Sequence, residues 1–507
     1  MSPVREAGFP LARLLAGWVE VPAGSSRAVR GLCHDSRSLR PGDLFFALAG
    51  SRAHGMRHAG QAADLGACAI VYDPAHGGEE LAEAGVGIPS FPVEGLGQAM
   101  GWIADRFFGA PSAHMRVFGV TGTNGKTSCS HFLAHALGAG APAAVIGTLG
   151  WGAPGALRPT THTTPDAIEV HALLAKLLAE GGASVAMEAS SHGLDQGRLN
   201  GVRFEGALFT NLSRDHLDYH PSMEAYLEAK LRLVDWPGLK FIVFNLDDAS
   251  SAAVAERAAS TARKIGFSLT SQGPSAPCPG VEIVRASDIR HGQDGVSFNV
   301  HFAGQDARVS APLYGDFNVE NALGVVAVLL ASGLELGEAA RRLADVRAVP
   351  GRMERFAGPA GPAVVVDYAH TPDALRKALA SLRRHCRGSL CVVFGCGGDR
   401  DRGKRPQMGL VAETLADRVV LTDDNPRSED GDAIIREILE GCVRREAVVM
   451  RDRRQAIAWA LRQLGEGDVL LVAGKGHEDT QDIGGVKQPF SDRWVVRQLL
   501  GLTGEAD

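Results

Sequence analysis

The run Thr121-Gly122-Thr123-Asn124-Gly125-Lys126-Thr127 follows the apolar stretch Val117 to Val120 and precedes a helical pattern from Ser128 to Leu137. Glycines at such a turn let successive backbone N–H groups curl around a phosphate, and the helix N-terminus adds its positive end. A lysine there reaches the terminal phosphates, and a threonine hydroxyl suits Mg²⁺. The strict GxxxxGK[ST] spacing is not met, because Val120 stands five before Gly125, and neither is a GxGxxG fingerprint. The order strand, turn, helix still predicts a nucleotide-binding loop rather than an ordinary glycine-rich turn. His131 and His135 stand four apart on that helix but lack the glutamate of an HExxH pair, so they read as plain helix residues.

A second apolar run, Ser184 to Met187, ends in Glu188, and a third, Ala207 to Phe209, delivers the polar cluster Thr210 to Asp218 with Asp215 and His216. Open α/β sheets bind ligands at the carboxyl ends of their strands, so both clusters belong to one candidate edge, a capped solvent-facing turn being the plainer alternative. Lys230 is the odd residue. The helix expected from Ser222 puts Met223, Leu227, Leu231 and Val234 on its apolar face, with Lys230 among them. A bare buried ammonium is costly, so this lysine either snorkels or pairs, or reacts as the neutral amine with CO₂ to give a carbamate, an anionic Mg²⁺ ligand. Physics alone favours the snorkel.

Three further segments follow apolar runs late in the chain: Gly395 to Pro406, Thr422 to Asp430 and Ala473 to Asp479. They bring Arg400, Arg427 and Glu478 to one predicted edge. Guanidinium pairs with carboxylate in bidentate fashion and Glu478 receives an ammonium, which suits an amino acid carrying an extra carboxylate and an extra amine. Asn425-Pro426 on its own reads as a surface turn. Asp367 and His370, at the end of Ala363 to Asp367, are candidates for orienting phosphate or metal.

The elements that must carry these residues alternate. A length of 507 residues accommodates about three domains. Residues 1–95 read as a small α/β domain. Residues 96–347 read as a mostly parallel sheet covered by helices, with an antiparallel edge through Val296 to Val309 and a closing helix from Val319 to Ser332. Residues 348–507 restart with four apolar runs, each followed by a polar turn and a helix, the pattern of a Rossmann-like doubly wound domain. The fold class is therefore α/β, with three domains.

Hydrophobic residues at 45% and charged residues at 22% exclude a disordered or rod-like chain. Lys plus Arg total 52 against 58 Asp plus Glu, and no basic stripe forms, so nucleic acid is not expected as a partner. No signal-like or membrane-spanning stretch is apparent, which predicts a cytoplasmic protein with no membrane partner. Eight cysteines show no CxxC pair and read as buried thiols.

Taken together these motifs resemble the Mur ligase family, ATP-dependent amide-forming enzymes of bacterial cell-wall synthesis. The resemblance rests on Thr121 to Thr127, Met187 to Gly193, Thr210 to His220, Gly315 to Asn321, Pro350 to Glu354 and Asp367 to Asp373, and it spans all three domains. It implies that residues 1–95 bind the UDP-sugar, 96–347 bind ATP and 348–507 bind the amino acid. ATP would lie on Gly122, Thr123, Asn124, Gly125, Lys126, Thr127 and Ser128, with Asn318 and Arg352. Mg²⁺ would be held by Thr127, Glu188, His216 and Lys230, the last as an N6-carboxylated lysine, against the snorkel. Lys126, Glu188, His216 and Lys230 would be the catalytic set.

The second substrate that the resemblance implies is UDP-N-acetylmuramoyl-L-alanyl-D-glutamate, on Ser36, Ser51, Arg52, Ala53, His162, Thr163, Thr164, Ser190, Gln196 and Arg198. Position 162 departs from the asparagine expected there. Asp424-Asn425-Pro426-Arg427 is similar to the signature of members that add meso-2,6-diaminopimelate, whereas lysine-adding members lack that arginine. L-Lysine would leave Arg427 unpaired, a penalty a site exploits for discrimination. Arg400, Asp424, Asn425, Pro426, Arg427, Gly474 and Glu478 would then bind diaminopimelate, and the reaction would run through an acyl phosphate in a monomer. The alternatives are a lysine-adding ligase, a folylpolyglutamate synthase-like ligase, and a nucleotide-dependent switch that forms no bond.

Overall fold

Parallel strands buried on both faces organise every part of the chain that carries a candidate site. The computed structural model describes residues 8–25, 27–50, 53–83, 85–217, 219–270, 280–292, 295–358, 361–444 and 446–502. Within those ranges the chain groups into two compact units, residues 1–266 with 276–282, and residues 267–275 with 283–507.

The first unit opens with a four-stranded parallel sheet: β1 (Gly31–Cys33), β2 (Asp43–Ala47), β3 (Ala69–Tyr72) and β4 (Ser90–Pro92), in that spatial order. Its strands alternate between two cores. Leu44, Phe46 and Val71 pack with Leu96, Ile103 and Phe107 of helix α1 (Leu96–Phe107), while Phe45, Ala47 and Ile70 pack with Met56 and Ala62 on the other face.

The same unit continues through β5 (Arg116–Thr121), α2 (Lys126–Gly138), β6 (Ala143–Gly147), β7 (Gly150–Gly152), α3 (Ala167–Ala179), β8 (Ser184–Glu188), α4 (Ser191–Asp195), β9 (Gly206–Phe209), α5 (Met223–Val234), β10 (Phe241–Asn245) and β11 (Arg263–Ser268). The spatial order is β11-β10-β9-β5-β8-β6-β7, and only the β6–β7 pair is recorded as antiparallel. The chain leaves β5 toward one side of the sheet and later returns to its other side as β9. That reversal of strand order makes the carboxyl end of β5 a topological switch point, where open α/β sheets take their ligands. Register aligns Glu188 with Val120 and Phe209 with Thr121, so three strand ends stop at one level.

The second unit contains the antiparallel β12 (Val281–Gly292), β13 (Gly295–Phe302) and β14 (Gln305–Ala311), with a register shift between Ser287 and Arg290 at the left-handed Asp288 (φ +51°). Helix α6 (Asp316–Ala331) follows, buried nearly all round. A six-stranded sheet closes the chain: β15 (Glu354–Ala357), β16 (Ala363–Asp367), β17 (Leu390–Phe394), β18 (Arg418–Leu421), β19 (Val448–Val449) and β20 (Val469–Ala473), ordered β15-β16-β20-β17-β18-β19. Only β15 runs antiparallel. Val365 and Val392 point into one core, and Val364, Val366 and Val393 into another, so helices cover both faces as a doubly wound fold requires. Among the described residues no helix is long and apolar enough to cross a membrane.

Candidate active site

At the end of β5 the backbone turns through Gly122 (φ +139°) and Gly125 (φ +87°). A side chain on Gly122 would also collide with Thr210 Oγ1, so glycine is needed there twice over. The loop is held from behind by the segment after β9. Thr210 Oγ1 donates to the Asn124 carbonyl at 2.6 Å, Asn124 N donates to Asn211 Oδ1 at 2.9 Å, and Thr123 N donates to the Asn211 carbonyl at 2.9 Å. Lys126 begins α2 and folds back so that Nζ donates to the carbonyls of Gly122 (2.8 Å) and Thr123 (3.0 Å). Ser128, on the first turn of α2, is buried.

Thr127 Oγ1 donates to Glu188 Oε2 at 3.1 Å, joining the loop to the end of β8. Glu188 is almost fully buried and also accepts from Thr148, from N at 2.8 Å to Oε1 and from Oγ1 at 3.2 Å to Oε2. A Cβ on Gly147 would collide with this carboxylate, so the glycine opens the space the acid occupies.

Lys230 is 1% exposed, and its Nζ donates to the Gly122 carbonyl at 2.9 Å and lies 4.4 Å from the Tyr226 ring centre. The snorkel is therefore wrong. The buried face of α5 is Tyr226, Ala229, Lys230, Leu231, Leu233 and Val234; Leu231 and Val234 are buried as expected, Met223 and Leu227 only partly, and the lysine turns inward. Burial, and then the like charge of Lys126, push the Lys230 amine well below its ordinary value, while Asp215 opposes the shift. Tyr226, bonded to Thr123 Oγ1 at 3.2 Å, is itself raised to about 12 by burial.

His216 has a left-handed backbone (φ +52°) and lies partly exposed, with its ring 4.9 Å from that of His192 and 6.0 Å from that of Tyr226. Among the described residues no cluster of three or more His, Cys, Asp or Glu side chains is arranged to hold a metal. The donors present still fit Mg²⁺: oxygens of Thr127 and Glu188 meet at the phosphate loop, and a hard cation there keeps water and phosphate oxygens as its other ligands.

Beside Glu188 a second group assembles. Thr164 Oγ1 donates to the Glu188 carbonyl at 2.8 Å and accepts from Ser190 N at 3.0 Å, and Thr163 Oγ1 accepts from Thr148 Oγ1 at 3.0 Å. Arg198 donates to the Thr164 carbonyl (2.8 Å) and twice to Gln196 Oε1 (2.6 and 3.0 Å). His162 is exposed, 3.1 Å from Thr161 Oγ1, and shares no bond with this group. Ser36 is buried and donates to Gln61 Oε1 at 2.9 Å, in the same short stretch as His34, which pairs with Asp166 at 3.3 Å. Ala53 is exposed, while Ser51 and Arg52 lie outside the described residues, as does Asp218.

The second unit carries the rest. Asn318 is buried near the start of α6, with Nδ2 donating to the Tyr314 carbonyl at 2.8 Å. Arg352 stacks on Tyr368 with 4.6 Å from its guanidinium carbon to the ring centre, and the ring of His477 lies 5.0 Å from the same tyrosine. Burial, followed by the charge of Arg352, pushes His477 down to about 4, so this imidazole is neutral. Asp367 accepts from Met353 N and Ala369 N, which makes it a loop organiser; His370 bonds back to the Tyr368 carbonyl at 2.8 Å.

The loops after β17, β18 and β20 meet as expected. Arg427 has φ +52°, and its Nη1 donates to the Gly398 carbonyl at 2.6 Å. A Cβ added to Gly397 would sit 3.0 Å from Arg427 and 3.7 Å from Arg400, so the two arginines flank that glycine. Asp424 is buried, and a Cβ on Gly474 would collide with its carboxylate; burial raises its pKa against the pull of Arg453. Asn425 Nδ2 donates to Glu478 Oε2 at 2.9 Å. Glu478 is not a bare acid awaiting an ammonium, because Lys475 Nζ already donates to that same oxygen at 2.8 Å. Pro426 sits within this turn, its carbonyl accepting from Glu429 N.

Residues that sequence reasoning passed over include Thr148, Tyr226, Lys475, Arg405 and Arg453. Lys475 lay in plain sight between two glycines of a quoted motif, whereas nothing local to Arg405 or Arg453 marks them as buried. Arg405 is 0% and Arg453 1% exposed. Arg405 pairs with Glu429 (2.8 Å) and Glu437 (2.7 Å) and donates to the Gly397 carbonyl, and Arg453 forks onto Asp492 with two bonds of 2.7 Å.

Comparison with protein families matches three descriptions in chain order: "Mur ligase family, catalytic domain" over residues 28–108, "Mur ligase middle domain" over 120–329, and "Mur ligase, glutamate ligase domain" over 351–476. A protein of Alkalilimnicola ehrlichii named UDP-N-acetylmuramoyl-L-alanyl-D-glutamate–2,6-diaminopimelate ligase is 50% identical, covering 97% of this chain and 98% of its own. A protein of the same name from Xanthomonas campestris pv. campestris is 47% identical over 94% and 95% of the two chains. A solved structure of a ligase of that name superposes with TM-score 0.71 at 34% identity, covering 97% of this chain and 99% of the other.

Proposed function

The chain belongs to the Mur ligase family, and from that premise we propose that it joins meso-2,6-diaminopimelate to UDP-N-acetylmuramoyl-L-alanyl-D-glutamate with conversion of ATP to ADP and phosphate. The relatives' names support this reading over nearly the whole chain, and one structural observation carries the choice of amino acid. Arg427 Nη1 and the stem of Arg400 both lie beside Gly397, while Asn425 ties the same turn to Glu478, so two arginines and a carboxylate come from loops that meet. A diamino dicarboxylic acid satisfies both signs of charge; lysine leaves the arginines without a partner.

In this reading the loop amides of Gly122 to Ser128 and the Lys126 ammonium bind the β- and γ-phosphates, with Asn318 and Arg352 on the nucleotide as well. To do so Lys126 exchanges its present bonds to the Gly122 and Thr123 carbonyls for phosphate oxygens. Thr127 and Glu188, with His216, would hold Mg²⁺, which when bound would offset charge on the transferring phosphoryl group. Lys230 joins that set as its carbamate, which forms when the unprotonated amine adds to CO₂ and releases a proton; the depressed basicity and complete burial of the amine favour it. The glutamate side-chain carboxylate attacks the γ-phosphorus, ADP leaves, and the amine of diaminopimelate then displaces phosphate from the acyl phosphate. Positioning and charge stabilisation suffice, without an enzyme nucleophile.

Ser36, Ser51, Arg52, Ala53, Thr163, Thr164, Ser190, Gln196 and Arg198 hold the UDP-sugar peptide, supported by the bonds that already link the last five around Glu188. Residues 1–95, 96–347 and 348–507 divide the work between UDP-sugar, ATP and amino acid, in a cytoplasmic monomer with neither nucleic acid nor membrane as partner. Carboxylate oxygen labelled with ¹⁸O in the glutamyl side chain tests the route: one label appears in released phosphate if an acyl phosphate forms, and none appears if it does not.

A further inference from the structure

Lys475 is 0% exposed, yet its charge is spent on protein groups only: Nζ donates to Asn425 Oδ1 at 2.9 Å and to Glu478 Oε2 at 2.8 Å. Asn425 closes the triangle by donating Nδ2 to the same Glu478 oxygen at 2.9 Å. The Asn425 amide has one orientation open to it, since Oδ1 also accepts from Asp482 N at 3.0 Å and a flipped amide would set donor against donor at both sites. Both donors converge on Oε2, and among the described residues nothing donates to Glu478 Oε1. The carboxylate is thus half satisfied and half presented.

The turn itself is clamped from the same side. Gln481 Nε2 donates to the Asp424 carbonyl at 2.8 Å, Arg427 N donates to the Asp482 carbonyl at 3.0 Å, and Gly484 N donates to the Arg427 carbonyl at 2.8 Å. These bonds hold the left-handed Arg427 against the hairpin formed by β21 (Thr480–Ile483) and β22 (Val486–Pro489). Segment 473–484 therefore fixes both charged ends of the amino-acid subsite, and Lys475 is its one buried cation bonded to them.

We propose that Lys475 is the positioning residue of the amino-acid subsite: by occupying Glu478 Oε2 and locking the Asn425 amide, it leaves Oε1 as the one free acceptor for the substrate ammonium. The inference rests on the function proposed above for this site. It gives Glu478 a single productive geometry, and it explains how one carboxylate serves a buried lysine and a substrate amine together. Removing Lys475 frees Glu478 to swing and strands its charge.

The test is a double-mutant cycle on the full-length protein with Lys475→Met, Glu478→Gln and the pair, measuring KM for diaminopimelate, for ATP and for the UDP-sugar peptide. Lys475→Met is expected to raise KM for diaminopimelate by about ten-fold or more, the loss expected for a charge-assisted hydrogen bond, with the other two KM values unchanged. The pair is expected to be no worse than the worse single variant. An unchanged KM for diaminopimelate, a parallel rise in all three constants, or additive losses would overturn the inference. If Lys475→Met does not fold because Glu478 is stranded, the paired variant removes both charges, and its KM compared with that of Glu478→Gln decides: equal values support the proposal and a further rise refutes it. If the unmodified protein uses a different amino acid, the function proposed above fails, and the same cycle read on that amino acid still tests Lys475.

Discussion

Lys230 combines full burial, a depressed basicity and a bond to the Gly122 carbonyl of the phosphate loop. A lysine kept dry at a cost to folding is the kind of residue a site retains for its chemistry. Lys230→Met should lower kcat by ~10²-fold or more while raising the melting temperature of the protein free of Mg²⁺ and CO₂, because it removes that cost. Equal activity, or a fall in melting temperature, would contradict the assignment. Incubation with ¹³C-bicarbonate should give a carbamate carbon resonance in the unmodified protein that Lys230→Met lacks. The proposed function puts Arg427 on the amino acid, so Arg427→Leu should cut kcat/KM for diaminopimelate by ~10²-fold or more while narrowing its advantage over L-lysine. At this scale the sequence was most informative where glycine and charge stood together, as at Gly122 to Thr127. It was least informative about depth: spacing places Lys230 on an apolar side of a helix, but the direction of burial is decided by Tyr226 and Leu233 packing inward, which no periodicity rule distinguishes from Met223 and Leu227.

Elements are held in place by a few charged pairs whose worth depends on burial. His34, beside β1, meets Asp166, which caps α3 by accepting from Ile168 N and Glu169 N. The hydrogen bond to Asp166 raises His34 above its ordinary 6.5 despite partial burial, and Asp166, though burial alone would raise it, is held below its ordinary 3.8 by His34. The stabilisation from His34 is therefore complete below about pH 6.5 and is lost as pH rises through its raised value, while that from Asp166 is lost only in acid. Melting temperature should fall between pH 6 and pH 8 (roughly the His range) more in the unmodified protein than in His34→Ala; equal slopes would refute the pairing. Arg453 and Asp492 begin α7 (Arg453–Arg462) and α8 (Asp492–Leu499), and both side chains are 0% exposed. Arg453→Met leaves Asp492 buried without its partner and should cost about 3–5 kcal/mol, read from urea denaturation. Element types and order were legible from alternating apolar runs and turn residues, as with Ala69 to Tyr72, which the structure reproduces. The buried arginines were not, because a charge inside a core is visible only once its partners from distant segments are known.

Across the whole molecule, two parallel-sheet systems each end in loops that carry the candidate residues: in the proposed function, phosphate binding at the end of β5 and amino-acid recognition at the ends of β17, β18 and β20. The α/β class with a mostly parallel sheet and a doubly wound C-terminal sheet was readable from the β-then-α rhythm alone. Residues 283–347 follow the central strands in sequence and group by contact with the C-terminal residues. Fold alone does not give function; the account stands on a glycine-rich loop, a buried acid and lysine beside it, and two arginines beside Gly397 on loops tied to a held glutamate. Its central claim is tested most directly by phosphate release from ATP with UDP-N-acetylmuramoyl-L-alanyl-D-glutamate and, in turn, meso-diaminopimelate, L-lysine or no amino acid, with the product mass determined. The account predicts turnover with diaminopimelate and a product heavier by one diaminopimelate residue. Preference for lysine, or phosphate release that does not need the UDP-sugar peptide, would contradict it.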